Sequence, residues 1–406
     1  MREALLDNGI RVVTERRPDV RSAAVGVWIE QGSAHETPES GGVSHLMEHL
    51  VFKGTEHRTA HEIALSLESL GGSLDAYTTR EHTSYHAHVL DEHLPVALDV
   101  LADLVLHPRL DPADLELEKD VVIEEIAGVE DTPDDLIFDL HGAEFWNGHT
   151  YGRPILGTRE TVKAFEIDEL RSLHSERYGG RNIVLGCVGN IEHDEVVDRL
   201  TELFGGVDPG SASPRIEEPT DTVSGRSSVV REAAQAHLVI AHATPSFADP
   251  VRNALILISS AFGGGMSSRL FQRIREELAL AYAVYSFQSF YSKAGMAGVY
   301  VGTRPEASEK ALEGILAEYA KLYEDGITAA ELEQAKSHAK GRSILAMEST
   351  GARLLRLVGF TLRGEPYRDL DESLERIDAV TLDEVSDACR RFYDPEAQYI
   401  LSLGPA

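Results

Sequence analysis

The sequence has little cysteine and no long apolar run, and each shortage excludes a class of protein. Among 406 residues only two are cysteines, Cys187 and Cys389. So few thiols exclude a disulfide framework and a zinc site built on cysteine. No stretch approaches the roughly 18 consecutive apolar residues that a membrane-spanning helix needs. We therefore expect no membrane span, and we expect both cysteines to be small buried side chains.

Positive charge is also scarce. The chain has 38 lysines and arginines against 68 aspartates and glutamates, which gives a formal net charge of −30. A field of that sign repels nucleic acid and anionic membranes, so we expect neither as a partner. Two interpretations of the acidic surface stay open: it attracts basic peptides, or it only keeps the protein soluble. A turn signal at residues 7–9 leaves no room before it for an export signal, which predicts a cytoplasmic location.

The chain repeats itself. Three residues of the first half recur in the second half at one constant offset: Asp168, Tyr178 and Gly189 correspond to Asp383, Tyr393 and Gly404. Each half mixes alternating strands with long amphipathic helices, so we predict an α+β fold of two duplicated domains. Each domain is expected to be a mostly antiparallel sheet covered by helices. The Pro-, Gly- and Ser-rich stretch from residue 209 predicts a linker over 209–222, between domains at 1–208 and 223–406.

A metal-binding pattern occupies residues 40–54, which read SGGVSHLMEHLVFKG. The glycines and Ser44 favour a helix start, and Gly54 favours its end. His45 and His49 are four residues apart, so on a helix both imidazoles project from one face and can share a metal ion. Glu48 lies beside that face but is poorly placed to bind with both histidines. Its position suits a general base that takes a proton from a water molecule.

Catalytic zinc takes three protein ligands, so the third must come from another segment. A helix predicted over residues 112–129 carries Glu118 and Glu125, which lie two turns apart on its apolar stripe. A carboxylate on a stripe that faces the core is costly unless it is paired or bound to a metal. Glu124 points about 100° away from Glu125 and is expected in solvent. This helix therefore offers the best candidates for the third ligand.

Taken together, these motifs resemble the inverted-zincin peptidases, which include pitrilysin, insulin-degrading enzyme and the mitochondrial processing peptidase. Residues 71–85 are similar to that family's strand beside the zinc, and residues 6–13 are similar to its amino-terminal strand. The resemblance spans essentially the whole chain, and the length matches the shorter two-domain members, which work as dimers. It implies Zn²⁺ as the cofactor, Glu125 as the third ligand and Glu118 as a residue that supports the ligands.

One residue departs from the family pattern. The family usually has asparagine where this chain has Asp75, next to the metal. The backbone of Asp75 and Ala76 can still pair with a substrate as an edge strand, so we keep both as candidate substrate-binding residues. His82, His86 and His88 follow on the next strand. A second metal site there is conceivable, but a strand that flanks the first site is the better interpretation.

The second half lacks the His-x-x-Glu-His pattern. Ala335 and Arg342 stand where the first half has its two helix glutamates, so we predict that the second domain binds no metal. The resemblance implies that an arginine and a tyrosine seven residues apart in this domain bind the substrate near the scissile bond. Arg275 and Tyr282 match that spacing.

The sequence thus predicts a zinc-dependent endopeptidase that hydrolyses peptides or unfolded segments. The resemblance implies that two chains, as a homodimer, form a clamshell of four domains around a chamber. The alternative is a non-catalytic or partner-dependent subunit of a complex like the processing peptidase. Non-catalytic relatives have lost parts of the motif, whereas this chain retains all of it.

Overall fold

A computed structural model describes residues 1–405. The chain forms two compact units, and both are discontinuous in sequence. The first unit comprises residues 1–127, 153–216 and 346–367; the second comprises 128–152, 217–345 and the chain from 368 onward. Two segments therefore differ from the contiguous domains predicted above. Residues 128–152 belong with the second unit, and residues 346–367 belong with the first.

The first unit is built on a six-stranded sheet. Its strands are β1 (Arg2–Leu5), β2 (Arg11–Arg16), β3 (Ser22–Ile29), β4 (Ser73–Thr78), β5 (Thr83–Leu90) and β6 (Ile183–Gly189). Their spatial order is β1-β2-β6-β3-β5-β4. All neighbours are antiparallel except β2 and β6, which run parallel. Because β4 is the last strand, it pairs with β5 alone.

Helices cover both faces of this sheet. They are α1 (Val43–Val51), α2 (Ala60–Glu68), α3 (Leu94–Leu106), α4 (Pro112–Glu130), α6 (Arg159–Ala164), α7 (Ile167–Arg177), α8 (His193–Phe204) and α12 (Thr350–Leu362). Alternation along β3 sends Val25 and Val27 to the face that packs with α1 and α3. Trp28 points to the opposite face, where it packs with Leu354 and Leu357 of α12. A helix from late in the chain thus closes the first unit.

The second unit repeats this plan. Its strands are β7 (Gly225–Val230), β8 (Ala236–Thr244), β9 (Ala281–Phe290), β10 (Gly295–Thr303) and β11 (Tyr399–Gly404), in the order β7-β11-β8-β10-β9. Again one pair is parallel, β7 with β11, and the others are antiparallel. This order and these directions match those of β2-β6-β3-β5-β4, which confirms the predicted duplication. The α+β fold of two similar units is also confirmed.

Helices surround the second sheet as well. They are α5 (Pro133–Phe145), α9 (Arg252–Gly263), α10 (Ser308–Asp325), α11 (Ala329–Ala346), α13 (Leu370–Ala379) and α14 (Leu382–Phe392), with a π-helical turn at Phe271–Glu277. Helix α5 comes from the first half of the sequence and packs on β8 and β11.

The structure agrees with several local predictions. Helix α4 begins at Pro112, as predicted, and the predicted linker 209–222 lies outside every helix and strand. Cys187 and Cys389 are both buried and unpaired with one another. Across residues 1–405, no helix combines the length and apolar character that crossing a bilayer requires.

Candidate metal centre

Helix α1 presents the two histidines of the motif. Its apolar residues Leu46, Met47 and Leu50 are buried in the first core, which fixes the rotation of the helix. The four-residue spacing then puts His45 and His49 side by side, with ring centroids 4.7 Å apart. Both rings lie at one edge of the core, and both side chains are mostly buried.

Helix α4 brings a carboxylate to these rings. Glu125 Oε2 lies 3.7 Å from His45 Nε2, and Glu125 Oε1 lies 3.6 Å from His49 Nε2. The three candidate ligand atoms all lie within 4.8 Å of one another. In the part of the chain that the structure describes, no other group of three or more His, Cys, Asp or Glu residues meets this spacing. Glu124 is exposed and outside the group, as its position on the helix predicts.

The donor set fits zinc. Burial, with a smaller contribution from His49, lowers the pKa of His45 to about 4, so that ring is neutral at pH 7. A neutral imidazole offers a lone pair to a metal ion. Two imidazole nitrogens and one carboxylate oxygen are a ligand set found in catalytic zinc sites, which leaves a fourth position open.

Glu118 contacts the ring of His49 on the side away from Glu125. It is buried, and its Oε2 accepts a hydrogen bond from His49 Nδ1 at 3.0 Å. This bond leaves Nε2 of the same ring facing Glu125. Lys53 Nζ lies 2.5 Å from Glu118 Oε1 and balances its charge. Lys53 was not among the predicted site residues, although it lies four residues after His49 in the sequence.

Glu48 stays outside the group of three. Its Oε2 accepts a hydrogen bond from Thr78 Oγ1 at 2.5 Å. Burial raises the pKa of Glu48, while the bond from Thr78 and the nearby His49 oppose that rise and Glu125 adds to it. A raised pKa makes the ionised carboxylate a stronger base, which suits it to proton transfer. Thr78 lies within residues 71–85, which resemble the family's strand beside the zinc, but it was not among the predicted site residues.

The edge strand β4 ends at this site, since Thr78 is its last residue. Asp75 is exposed and stands opposite His86 in the ladder with β5. Among the described residues no strand pairs with the other edge of β4, so its backbone groups around Asp75 and Ala76 are open to a peptide.

The histidines of β5 and its preceding turn take no part in a metal group. His88 Nε2 lies 3.0 Å from Thr350 Oγ1, and His86 Nδ1 lies 3.3 Å from Ser84 Oγ. His82 lies near Thr79, with its Nδ1 3.2 Å from the hydroxyl. Across residues 1–405 none of them belongs to a group with metal-ligand spacing.

The second unit holds the other two predicted site residues. Arg275 lies in the π-helical turn and Tyr282 lies at the start of β9. Arg275 Nη1 donates to the backbone oxygen of Tyr282 at 2.8 Å, and its guanidinium carbon lies 4.5 Å from the ring centre. The structure thus brings these two side chains together, and Tyr282 is 79% exposed. On α11, Ala335 is buried and Arg342 is exposed, and the described residues of this unit contain no metal group.

Comparison with known proteins identifies the family. The model of the insulinase family (peptidase family M16) matches residues 11–159, and that of the M16 inactive domain matches residues 164–338. An uncharacterized zinc protease of Bacillus subtilis is 40% identical, over 98% of this chain and 96% of its own. The chain belongs to the M16 peptidase family. This membership confirms the resemblance inferred from the motifs.

Further M16 comparisons agree in size and fold. An uncharacterized zinc protease of Mycobacterium leprae is 40% identical, over 94% of this chain and 86% of its own. The solved structure of a peptidase M16 inactive domain from Pseudomonas fluorescens has a TM-score of 0.92 at 20% identity, over 100% of this chain and 98% of that one. A protease from Helicobacter pylori gives the same TM-score and identity, over 100% and 99%. These two structures support the fold.

Proposed function

We propose that the protein is a zinc metalloendopeptidase that hydrolyses peptides or unfolded segments. The observation that carries the proposal is the convergence of His45, His49 and Glu125 beside Glu48. A zinc ion, when bound there, polarises the scissile carbonyl and makes a water molecule more acidic. The names of the relatives, uncharacterized zinc proteases, support the choice of zinc.

Other side chains of this chain transfer the proton and orient the groups of the site. Glu48 accepts a proton from the attacking water and then delivers it to the leaving amine. Thr78 holds one oxygen of Glu48, which leaves the other oxygen to meet the water. Glu118 keeps the ring of His49 oriented, and Lys53 pairs with the buried Glu118 carboxylate.

We assign substrate binding to two places. The open edge of β4, around Asp75 and Ala76, pairs with the substrate backbone. Arg275 and Tyr282 donate hydrogen bonds to the substrate carbonyl and to the oxyanion that forms on it. Ala279, between those two, has a φ of 49°. Such strain in a residue with a Cβ is typical of turns that place functional groups.

We further propose that the protein works as a cytoplasmic homodimer whose four domains enclose a chamber. Membership of M16 at the two-domain length supports the dimer, and two buried free cysteines are typical of a reducing compartment. The alternative, a non-catalytic or partner-dependent subunit, has less support. This one chain contains the metal ligands, Glu48 and the Arg275–Tyr282 pair.

The experiment that tests the proposal combines metal analysis with a peptide digest. The purified protein is expected to hold about one zinc ion per chain, the stoichiometry of a single three-ligand site. It should cut a mixed peptide library, as read by mass spectrometry, lose that activity with a chelator and regain it with added zinc. Zinc binding without any cleavage would instead favour the non-catalytic subunit.

A further inference from the structure

The helix that carries the catalytic residues has no cap of its own. Helix α1 begins after Gly42, and this residue has no side chain to accept hydrogen bonds from the first backbone amides. Uncapped amides at a buried helix start are costly, so another group must accept them. The same helix carries His45, Glu48 and His49, so whatever holds its start also influences the site.

Glu36 supplies the missing acceptor. Its Oε2 accepts from the backbone N–H of Gly42 at 2.8 Å, and its Oε1 accepts from that of Ser44 at 2.9 Å. Glu36 is only 5% exposed, and a negative charge at this end of a helix is favourable. Burial raises the pKa of Glu36, and the hydrogen bonds from Ser44 and Gly42 oppose that rise. Both carboxylate oxygens are therefore used to hold the first turn of α1.

Backbone from a second segment also packs closely against the helix start. A Cβ on Gly42, whose φ is 92°, would lie 2.6 Å from the carbonyl oxygen of Leu156. A Cβ on Gly157 would lie 2.3 Å from the carbonyl oxygen of Gly41, and Thr161 Oγ1 donates to that same oxygen at 2.7 Å. The residues just before α1 are thus closely packed, which limits how far the helix start can shift.

We infer that Glu36 is a positioning residue that fixes where α1 lies along its own axis, and so where His45 and His49 meet Glu125. His45 directly follows Ser44, whose amide is held, so a shift of the first turn moves that ring first. The inference rests on the proposed function, because it concerns the same metal ligands. It adds a residue whose side chain does not belong to the metal group.

The test compares zinc affinity in Glu36→Gln with that in a matched variant, Glu62→Gln. Glu62 caps the next helix, α2, where its Oε2 accepts from the backbone N–H of Thr59 at 2.8 Å. A glutamine at position 36 has one acceptor oxygen for two amides, and its NH₂ would face the second donor. We expect Glu36→Gln to weaken zinc binding about 10- to 100-fold, as loss of a supporting residue does. Glu62→Gln should leave zinc binding unchanged.

Two readouts separate positioning from general stability. Competition with a chromophoric chelator gives the zinc dissociation constant, and the visible absorption of the Co²⁺ form reports the geometry of the ligands. Glu36→Asp keeps the charge but is one methylene short, so it should also weaken zinc binding and change the Co²⁺ spectrum. This variant decides the question if Glu36→Gln fails to fold.

The inference is overturned if the folded Glu36 variants bind zinc as the parent does and show only a lower melting temperature, as Glu62→Gln would. A parent protein that binds no zinc would overturn the proposed function, and the inference with it. The parent's own affinity therefore tells the two failures apart.

Discussion

At the scale of single residues, neighbouring glutamates differ by their surroundings. Glu125 and Glu124 are adjacent in sequence, yet only Glu125 faces the two histidines. We expect Glu125→Gln to weaken zinc binding strongly, because a neutral amide is a poor zinc ligand. Glu124→Gln should leave it unchanged. Metal content after dialysis checks this, and a loss of zinc in Glu124→Gln alone would show that the assignment is wrong by one position.

The bond from Thr78 predicts a pH effect. It stabilises the ionised form of Glu48 and so lowers the pKa of that carboxyl group. Thr78→Val removes the hydroxyl at nearly constant shape, so the pKa should rise. Because the base must be ionised to act, the acidic limb of the kcat/KM profile should move to higher pH. Thr78→Ser, which keeps a hydroxyl, should retain the parent profile, and a Thr78→Val limb that stays in place would contradict the role of Thr78.

Sequence spacing predicts the positions of some of these site residues but not of others. Helical periodicity predicts that His45 and His49 share one face, and that Glu118 and Glu125 share the stripe of a second helix. The choice of Glu125 as the third ligand came from the family resemblance.

Thr78 and Glu48 are 30 residues apart in sequence, and their contact depends on how β4 packs beside α1. Glu36 lies only six and eight residues before the amides of Gly42 and Ser44, but its contacts depend on the path of the loop that precedes α1, which helix or strand periodicity does not describe.

At the scale of elements, α12 packs buried side chains against the sheet of the first unit. Leu357 is fully buried against the sheet, while Leu355, two positions away on the same helix, is 46% exposed. We expect Leu357→Ala to lower the free energy of unfolding by about 2–5 kcal/mol, the usual range for a buried leucine. Leu355→Ala should cost about 0.5 kcal/mol or less. Urea denaturation of both variants measures this, and equal losses would mean that α12 is not a core element.

The same helix shows what sequence patterns miss. Periodicity predicts that a segment is an amphipathic helix, but not which sheet its apolar face covers. Helix α5 packs on β8 and β11 of the second unit, and α12 packs on β6 and β3 of the first. The predicted boundary near residue 208 lies next to the linker. Helix α5 comes before that boundary in sequence but belongs to the second unit, and α12 comes after it but belongs to the first.

At the scale of the whole molecule, the two units have similar sheets but differ in their candidate site residues. They share five strands in one order, but the described residues of the second unit have no metal group. In the sequence, Ala335 and Arg342 stand at the helix positions that match the carboxylates of the first unit. The pairing of Arg275 with Tyr282 was predictable only through the family resemblance.

A mixing experiment tests whether two chains share a site. Glu48→Gln and Arg275→Ala should each be inactive alone, because one lacks the base and the other lacks an oxyanion donor. If the zinc unit of one chain uses Arg275 and Tyr282 of another, exchange between the two variants restores part of the activity. If activity does not recover although native mass spectrometry shows that the chains exchange, Arg275 and Tyr282 act within their own chain.

Glu48→Gln distinguishes a general base from a zinc ligand at the site formed by His45, His49 and Glu125. Glutamine cannot accept the proton, so peptide cleavage should fall by about 100- to 10,000-fold. Zinc content should stay at the parent's level, because Glu48 is outside the group of ligands. Turnover and zinc content are measured on the same sample. Near-normal turnover, or loss of the zinc together with activity, would contradict the assignment of Glu48 as the general base.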